Sequence, residues 1–241
     1  MKLLFSMAIA ASLCAAAVAA FGAGEPEQQG SAGAPAASKT DALKPLPADV
    51  DPQSLARLSL VKREEMSEEG KKVYDLFVSP QVRSLAGLQG PYGIWLHSPK
   101  LAERAQPLNY YLRYETSLGR RLTELAILVT ARELDNQFEW TAHEPAALKE
   151  GLEPAIIDVV RRRKGTDKLA EKEALIITVG RELFRKHTVS PPTFARALKV
   201  FGKEELVNLV ALFGDYASIS YTINAFDIQL HPDQKPLLPL P

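Results

Sequence analysis

The chain has 241 residues, of which 46% are apolar and 24% charged, with 29 basic side chains against 29 acidic ones. Globular proteins have these proportions, so a wholly disordered, collagen-like or coiled-coil protein is excluded. A net charge of zero disfavours a nucleic-acid-binding protein or a polybasic membrane-binding protein, because both need an excess of basic residues. We therefore expect one domain of about 150–200 residues with additional segments at its ends.

Residues 1–23 have the layout of a secretory signal peptide. Lys2 precedes an apolar stretch that reaches residue 20, and Ala17-Val18-Ala19 supplies the small residues at which signal peptidase cuts. A membrane anchor is the alternative, but an apolar run of this length is barely long enough to span a bilayer. We predict cleavage, export to the periplasm or outside the cell, and no stable membrane anchor in the mature protein.

The single cysteine, Cys14, lies within the predicted signal peptide. Leu13 stands where a lipoprotein signal has a small residue, which argues against lipidation. After cleavage the mature protein has no sulfur for a disulfide, a thiol nucleophile or a thiolate metal ligand.

The two segments that flank the predicted domain have non-globular compositions. Residues 24–54 contain few bulky apolar side chains, which predicts a flexible linker. Residues 231–241 are rich in proline, which predicts an extended tail on the surface or on a neighbouring subunit. The domain is therefore assigned to residues 55–230.

The body of the chain is predicted to be all-α. Ser67 is a candidate N-cap for a first helix, and Ser98-Pro99 begins a second one, in which Pro107 predicts a kink or a break. Its inner face is predicted from an apolar repeat at helical spacing, formed by Leu101, Ala105, Leu108 and Leu112. Further helices are predicted over residues 120–134, 136–150, 154–163, 167–186, 190–202 and 203–226. The first of these is apolar nearly all round, which predicts a central buried helix.

One group of polar residues has the spacing of a site. Asn136, Glu139 and His143 are separated by three and four positions, so they share one face of a helix. The preceding helix carries Glu124, and the short link predicts an antiparallel hairpin that brings Glu124 towards His143. A carboxylate beside an imidazole fixes its tautomer and prepares it for proton transfer near neutral pH.

Two other interpretations of the same spacing remain open at this point. His143 can be a core histidine whose partner is Glu139, with Trp140 simply packed beside them. Glu139 and His143 can also chelate a metal, although the di-iron bundles use Glu-x-x-His twice, and here the spacing is one longer and occurs once. We predict no metal site.

Three blocks of this sequence resemble the carboxymuconolactone decarboxylase family, which includes the alkylhydroperoxidase D-like (AhpD-like) proteins. The first is GPYGIWLHSPKLAERAQPL, the second is RRLTELAILVTARELDNQFEWTAHEPAALKEGL, and the third is ELVNLVALFGDYASISYTINAFDI. They occur in the family's order and cover residues 55–230. The resemblance implies a multi-helix bundle around a helical hairpin, assembled as a homotrimer or homohexamer.

The peroxidase branch of that family uses C-x-x-C-x-x-x-H, with a relay glutamate twelve residues before the first cysteine. By resemblance, His143 matches the histidine, Glu124 matches the relay glutamate, and Asn136 and Glu139 stand at the cysteine positions. The acid–base half of the site is therefore retained without the redox half, and a thiol peroxidase cycle is disfavoured.

The decarboxylase branch needs neither cysteine nor cofactor, and its substrate is a small lactone that carries a carboxylate. By this resemblance, His143 is the proton donor, and Glu124 and Glu139 orient it. The substrate-binding candidates are Asn136, Trp140 and one arginine out of Arg120, Arg121 and Arg132, of which Arg132 is chosen. The resulting prediction is a carboxy-lyase-like acid–base enzyme for a small organic acid. A non-catalytic ligand-binding protein is the alternative.

Self-association is predicted from the helices themselves as well. The helix over residues 203–226 has apolar side chains on more than one face, and a domain of about 180 residues has limited interior in which to bury them. Large unburied apolar faces mark subunit contacts. If this helix lies at a subunit contact, Phe213→Glu should dissociate the assembly, whereas the same change should unfold the monomer if Phe213 is a core residue.

Overall fold

The computed structural model describes residues 45–240. The predicted signal peptide and most of the predicted linker lie outside these residues. The helices are α1 (Glu68–Phe77), α2 (Pro91–Trp95), α3 (Pro99–Tyr114), α4 (Arg120–Glu133), α5 (Gln137–Lys149), α6 (Pro154–Arg161), α7 (Glu171–Lys186) and α8 (Pro191–Ala225). Residues 45–240 contain no β-strand beyond an isolated bridge between Asp51 and Ala56. The prediction of an all-α fold is confirmed.

Helix α4 is the centre of the domain. Its residues from Thr123 to Arg132 are all buried, and it packs against α5, α7 and α8. A helix that is covered on every side must be apolar all round, which is the pattern that the sequence has here. The prediction of a central buried helix is therefore confirmed.

Helices α4 and α5 form the predicted hairpin. Asp135 has φ 48°, and the backbone N–H of Asn136 donates to the Ala131 carbonyl at 2.8 Å, so the chain reverses within a few residues. Asn136 then caps α5, because its side-chain oxygen accepts a hydrogen bond from the Glu139 backbone N–H at 2.9 Å. This tight reversal places residues of α5 beside residues of α4.

Helix α8 is interrupted where the sequence predicts one helix to stop and the next to start. Gly202 has φ 75° and ψ 176°, a conformation that favours glycine and lies outside the helical region. Among residues 45–240, α8 alone is long and apolar enough to cross a membrane by length and composition. It also packs against α4 and α7, as a core helix does.

Helix α3 differs from its prediction in two respects. It is continuous through Pro107, because that proline lies on the exposed side, where water can bond the carbonyl that the missing N–H leaves free. Its buried face is also rotated, since Leu101 and Leu108 are half exposed. The side chains that α3 buries are Ala102, Gln106, Asn109, Leu112 and Arg113.

Both ends of the described chain lie against the domain. Val50 and Ser54, which belong to the predicted linker, are buried, so the packed part of the described chain includes residues before 55. The backbone N–H of Arg57 donates to the Phe226 carbonyl at 2.8 Å, which joins this segment to the end of α8. In the proline-rich tail, Leu238 is buried in the core of its own domain.

Phe213 lies in the core and not at the surface. It is 2% exposed, and its ring packs edge-on against Phe184 of α7 at 6.0 Å between centroids. Of the two alternatives that the sequence left open for Phe213, the core position is therefore the correct one. The reason is that α7 and α4 cover this face of α8, which the sequence of α8 alone cannot show.

We expect Gly180→Ala to destabilise the domain by about 1–3 kcal/mol, because the core is closely packed there. A Cβ atom at Gly180 would lie 2.5 Å from Val129 Cγ1 and 3.0 Å from the Phe213 ring. Gly214→Ala is the matched control, since no atom lies within 4 Å of its Cβ position. In a helix this change should stabilise by about 0.5–1 kcal/mol. Urea unfolding of both variants measures the difference, and equal effects would contradict this packing.

Candidate acid–base site

Glu124 and His143 form a buried pair across the α4–α5 hairpin. Glu124 is fully buried, and its Oε2 accepts a hydrogen bond from His143 Nδ1 at 2.7 Å. Its other oxygen accepts from Arg120 Nη2, also at 2.7 Å. Because the carboxylate needs a donor, the proton of the neutral imidazole is on Nδ1. Nε2 is therefore left as the basic nitrogen.

Glu139 lies on the other side of the imidazole. Its Oε2 is 3.3 Å from His143 Nε2, close enough for an ion-pair contact but without the geometry of a hydrogen bond. That oxygen is buried and has no hydrogen-bond partner among the described residues. Burial raises the pKa of Glu139, because a low-dielectric environment disfavours its charged form.

The two carboxyl groups are therefore driven in opposite directions. Burial alone would raise the pKa of Glu124, but the charges of His143, Arg113 and Arg120 lower it to about 2. Two carboxyls with separated pKa values on either side of one imidazole are typical of sites that transfer protons. Glu124 is the ionised member, and Glu139 is the member whose neutral form is favoured.

A narrow cleft with a free volume of about 40 Å³ reaches His143 and Glu139. Tyr216 borders it and meets the His143 ring edge-on, with 5.2 Å between ring centroids. A space of this size accepts water molecules or the end of a larger ligand. Its polar wall consists of Tyr92, Asn109, Arg113, Glu139, His143 and Tyr216, and its apolar wall includes Leu85, Ala86, Phe138 and Ala142.

Arg113 is a buried cation in this wall that sequence reasoning missed. It is 5% exposed, and its Nε has no hydrogen-bond partner among the described residues. Its nearest carboxylate oxygen, Glu124 Oε1, is 3.6 Å away and already accepts from Arg120. A signal was present, because Gln106, Asn109 and Arg113 lie three and four positions apart and share one face of α3.

A hydrogen-bonded series of polar side chains lies on the α3 and α8 side of the cleft, and it was also not predicted from the sequence. The Tyr92 hydroxyl donates to Asn109 Oδ1 at 3.1 Å, and Asn109 Nδ2 donates to Asp215 Oδ2 at 2.8 Å. Burial raises the pKa of Asp215 to about 6, although the hydrogen bond from Asn109 and the charge of Arg113 oppose the increase. The side-chain amide of Asn109 thus connects Tyr92 to a carboxyl that titrates near neutral pH.

The three predicted substrate-binding residues do not line the cleft. Asn136 uses its amide nitrogen on the Ser220 carbonyl at 3.3 Å and its oxygen in capping α5. Trp140 is fully buried, and its indole donates to Glu144 at 2.6 Å. Arg132 donates to the Pro239 carbonyl at 2.9 Å, so it binds the C-terminal tail.

The other chemistry-bearing candidates are also explained by structural roles. His97 is exposed, and its Nε2 lies 3.0 Å from the Ser59 carbonyl oxygen. No group of three or more His, Cys, Asp or Glu side chains between residues 45 and 240 has the geometry of a metal site.

Solved structures share this architecture, whereas no protein-family model matches the chain and no curated protein matches it significantly. A protein of unknown function from Agrobacterium tumefaciens, compared in its description with the antioxidant defence protein AhpD, has a TM-score of 0.52 and 16% identity, over 57% of this chain and 95% of its own. An uncharacterised peroxidase-related protein from Ralstonia eutropha with an AhpD core has a TM-score of 0.57 and 11% identity, over 73% and 93%.

A third similar structure is a cysteine-to-alanine variant of the debrominase Bmp8 in complex with 2,3,4-tribromopyrrole. Its TM-score is 0.54 and its identity 10%, over 72% of this chain and 90% of its own. Identities this low establish a shared architecture and not a shared activity. The chain thus has the AhpD-like all-α fold, which the carboxymuconolactone decarboxylase family also has, as the sequence resemblance implied.

We expect Glu124→Gln to destabilise the domain by about 3–5 kcal/mol at neutral pH, because it removes one partner from a buried charge cluster. The pKa of Glu124 is lowered from 4.5 to about 2, so its ionised form stabilises the fold fully above pH 4.5. The difference between wild type and variant should therefore shrink as the pH falls from 4.5 towards 2.

Denaturant unfolding at a series of pH values measures this difference. Glu103→Gln is the control, because its carboxylate is exposed and its change should have nearly no effect. A difference that stays constant across the acid range would contradict the depressed pKa of Glu124.

Proposed function

We propose that this protein is a cofactor-independent acid–base enzyme of the decarboxylase or lyase type, acting on a small organic acid. The observation that carries the proposal is the buried row Glu124–His143–Glu139, which ends at a cleft. Glu124 is ionised there, while the neutral form of Glu139 is favoured. Such a row delivers and recovers a proton at the basic imidazole nitrogen.

In this mechanism Glu124 accepts the Nδ1–H hydrogen bond and stabilises the imidazolium form of His143. The bond between the substrate's carboxylate carbon and its neighbour breaks, carbon dioxide leaves, and the electron pair moves onto a conjugated carbonyl oxygen. The neutral carboxyl of Glu139, 3.3 Å from Nε2, protonates His143, and Nε2 delivers this proton to the carbon that lost the carboxylate. The Glu139 carboxylate then takes up a proton from water in the cleft, which restores the starting state.

A non-catalytic ligand-binding protein is the second candidate. Two polar atoms on residues of the cleft wall favour it, because Arg113 Nε and Glu139 Oε2 have no hydrogen-bond partner among the described residues and can bind a ligand without any reaction. In that case a ligand reaches the cleft without being turned over. The acid–base row then serves only to hold the ligand.

Thiol peroxidase activity is disfavoured by the residues at the cysteine positions. Asn136 is occupied as the cap of α5, and Glu139 stands at the other position. Residues 45–240 contain no cysteine, and a peroxidase cycle of this type needs sulfur. The protein should not consume hydroperoxide with a dithiol reductant.

We expect His143→Ala to lower turnover by about 10²–10⁴-fold, the usual contribution of one general acid or base. The assay follows carbon dioxide release, and deuterium uptake from solvent, with a panel of lactone carboxylates. His97→Ala is the control, since that histidine is exposed and away from the cleft. Full activity of His143→Ala would contradict the mechanism, whereas wild-type binding without turnover would support the ligand-binding candidate.

We further propose that the protein is exported and forms a homotrimer or homohexamer. Export is supported by the signal-peptide layout of residues 1–23. Self-association is supported by a strip of exposed apolar side chains on α3 and α8, which contact each other where the Tyr111 hydroxyl meets Asn208 at 3.4 Å. The strip comprises Leu101, Leu108, Tyr111, Val207 and Val210.

We expect Val207→Glu to dissociate the oligomer, because this side chain is 67% exposed in the single chain and a charge there would be buried in an interface. Light scattering at micromolar concentration measures the mass, and circular dichroism verifies that the helices are retained. Phe194→Glu is the control, since it is also exposed but precedes the break at Gly202. A monomeric wild type would refute self-association.

A further inference from the structure

The cleft beside His143 adjoins a larger groove. The groove has a free volume of about 560 Å³, which lies in the range that suits a small organic ligand of about 300–1,000 Å³. Four residues line both spaces, so the two are separated only by a shared wall. These residues are Leu85, Ala86, Phe138 and Ala142.

The shared wall is apolar, whereas the two ends of the combined space are polar. At the inner end, Arg113, Glu139 and His143 line the cleft. At the outer end, Gln229, Gln234 and the paired side chains of His231 and Asp233 line the groove. A ligand that occupies both spaces must therefore be apolar where it passes the shared wall.

Arg113 gives the inner end a buried positive charge that is only partly compensated, since the Asp215 carboxyl, whose pKa is about 6, interacts with it without forming an ion pair. The only ion pair of Arg113 within residues 45–240 is the 3.6 Å contact with Glu124, which also serves Arg120 and His143. Glu139 does not supply a second negative charge while its carboxyl is neutral, the form that burial favours. A buried guanidinium with a free Nε is a binding group for an oxyanion.

Further guanidinium groups stand close to Arg113. Arg113 and Arg83 each lie 5.0 Å from the centre of the Tyr114 ring, and Arg120 lies 4.3 Å from it. Arg83 is exposed and has no ion pair within the described chain, and it immediately precedes Ser84 and Leu85 of the cleft wall. Unpaired positive charge next to a cleft attracts anions and repels cations.

We propose that Arg113 is the substrate-binding residue for an amphiphilic organic carboxylate, whose apolar portion extends past Phe138 and Ala142 into the groove. This proposal deepens the proposed function, on which it rests for the reaction at His143. It makes the substrate larger than the cleft alone accepts. On this proposal, Arg113 of α3 selects ligands by charge, and Phe138 and Ala142 of α5 select them by length.

Binding of unreactive probes tests the proposal without turnover. Calorimetry with the full chain compares linear carboxylates, from acetate to octanoate, with primary amides of the same length. Each carboxylate should bind about tenfold or more tightly than its amide, because a charged hydrogen bond is lost in the amide. Affinity should rise by roughly three- to fourfold for each methylene that enters the groove.

Three variants assign these effects to residues. Arg113→Met should remove the preference for carboxylate over amide, whereas Arg104→Met, on the exposed side of α3, should keep it. Ala142→Leu should abolish the gain with chain length, because it fills the shared wall. If Arg113→Met loses its helical circular dichroism, Arg113→Lys replaces it and should keep the carboxylate preference with lower affinity.

Equal binding of amides and carboxylates, an unchanged preference in Arg113→Met, or affinity that does not vary with chain length would each overturn the proposal. Arg113-dependent binding without any turnover would remove the proposed enzyme activity alone. Turnover of a lactone carboxylate that is independent of Arg113 would remove this proposal alone.

Discussion

The arrangement of the site depends on one fully buried carboxylate, Glu124, in the central helix. An ionised group in a protein interior loses its hydration, a cost that is tolerated only where opposite charges and hydrogen bonds replace the water. Here the replacements come from three neighbours: His143 on α5, Arg120 on α4 itself, and Arg113 on α3. The neutralisation of this one charge thus joins α3, α4 and α5. It also places the His143 imidazole and the Arg113 guanidinium at the same cleft.

The candidate acid–base group was predictable because its members are close in sequence. Glu139 and His143 are one helical turn apart, and a short link at Asp135 forces α5 back along α4, so Glu124 had to approach them. The all-α class and the buried α4 followed from apolar patterns of the same local kind. The interruption of α8 at Gly202 was also predictable from the local sequence, since glycine readily adopts a positive φ.

What the sequence did not reveal was decided by contacts between distant segments. The faces of α3 are ambiguous, because Leu101 and Leu108 repeat at helical spacing as regularly as Gln106 and Arg113 do. Only the charge of Glu124 shows which face turns inward. In the same way, the sequence alone allowed Arg132 to bind a substrate carboxylate. In the structure the C-terminal tail lies against Arg132, and the Pro239 carbonyl accepts its hydrogen bond.

Asn136 and Glu139, which by sequence resemblance stand at the cysteine positions of AhpD-like peroxidases, support the proposed acid–base chemistry. Asn136 is a residue that favours helix N-caps, and the cap it makes fixes the first turn of α5, from which Glu139 reaches the imidazole. A carboxyl group replaces the sulfur at the second position, so the group nearest His143 Nε2 exchanges protons and not electrons. Burial favours the neutral form of Glu139, while Glu124 remains ionised. Glu124 can therefore stabilise a positive charge on His143, and Glu139 can supply it with a proton. One imidazole between two such carboxyls can give a proton to carbon and regain it inside the cleft, a cycle that needs no thiol.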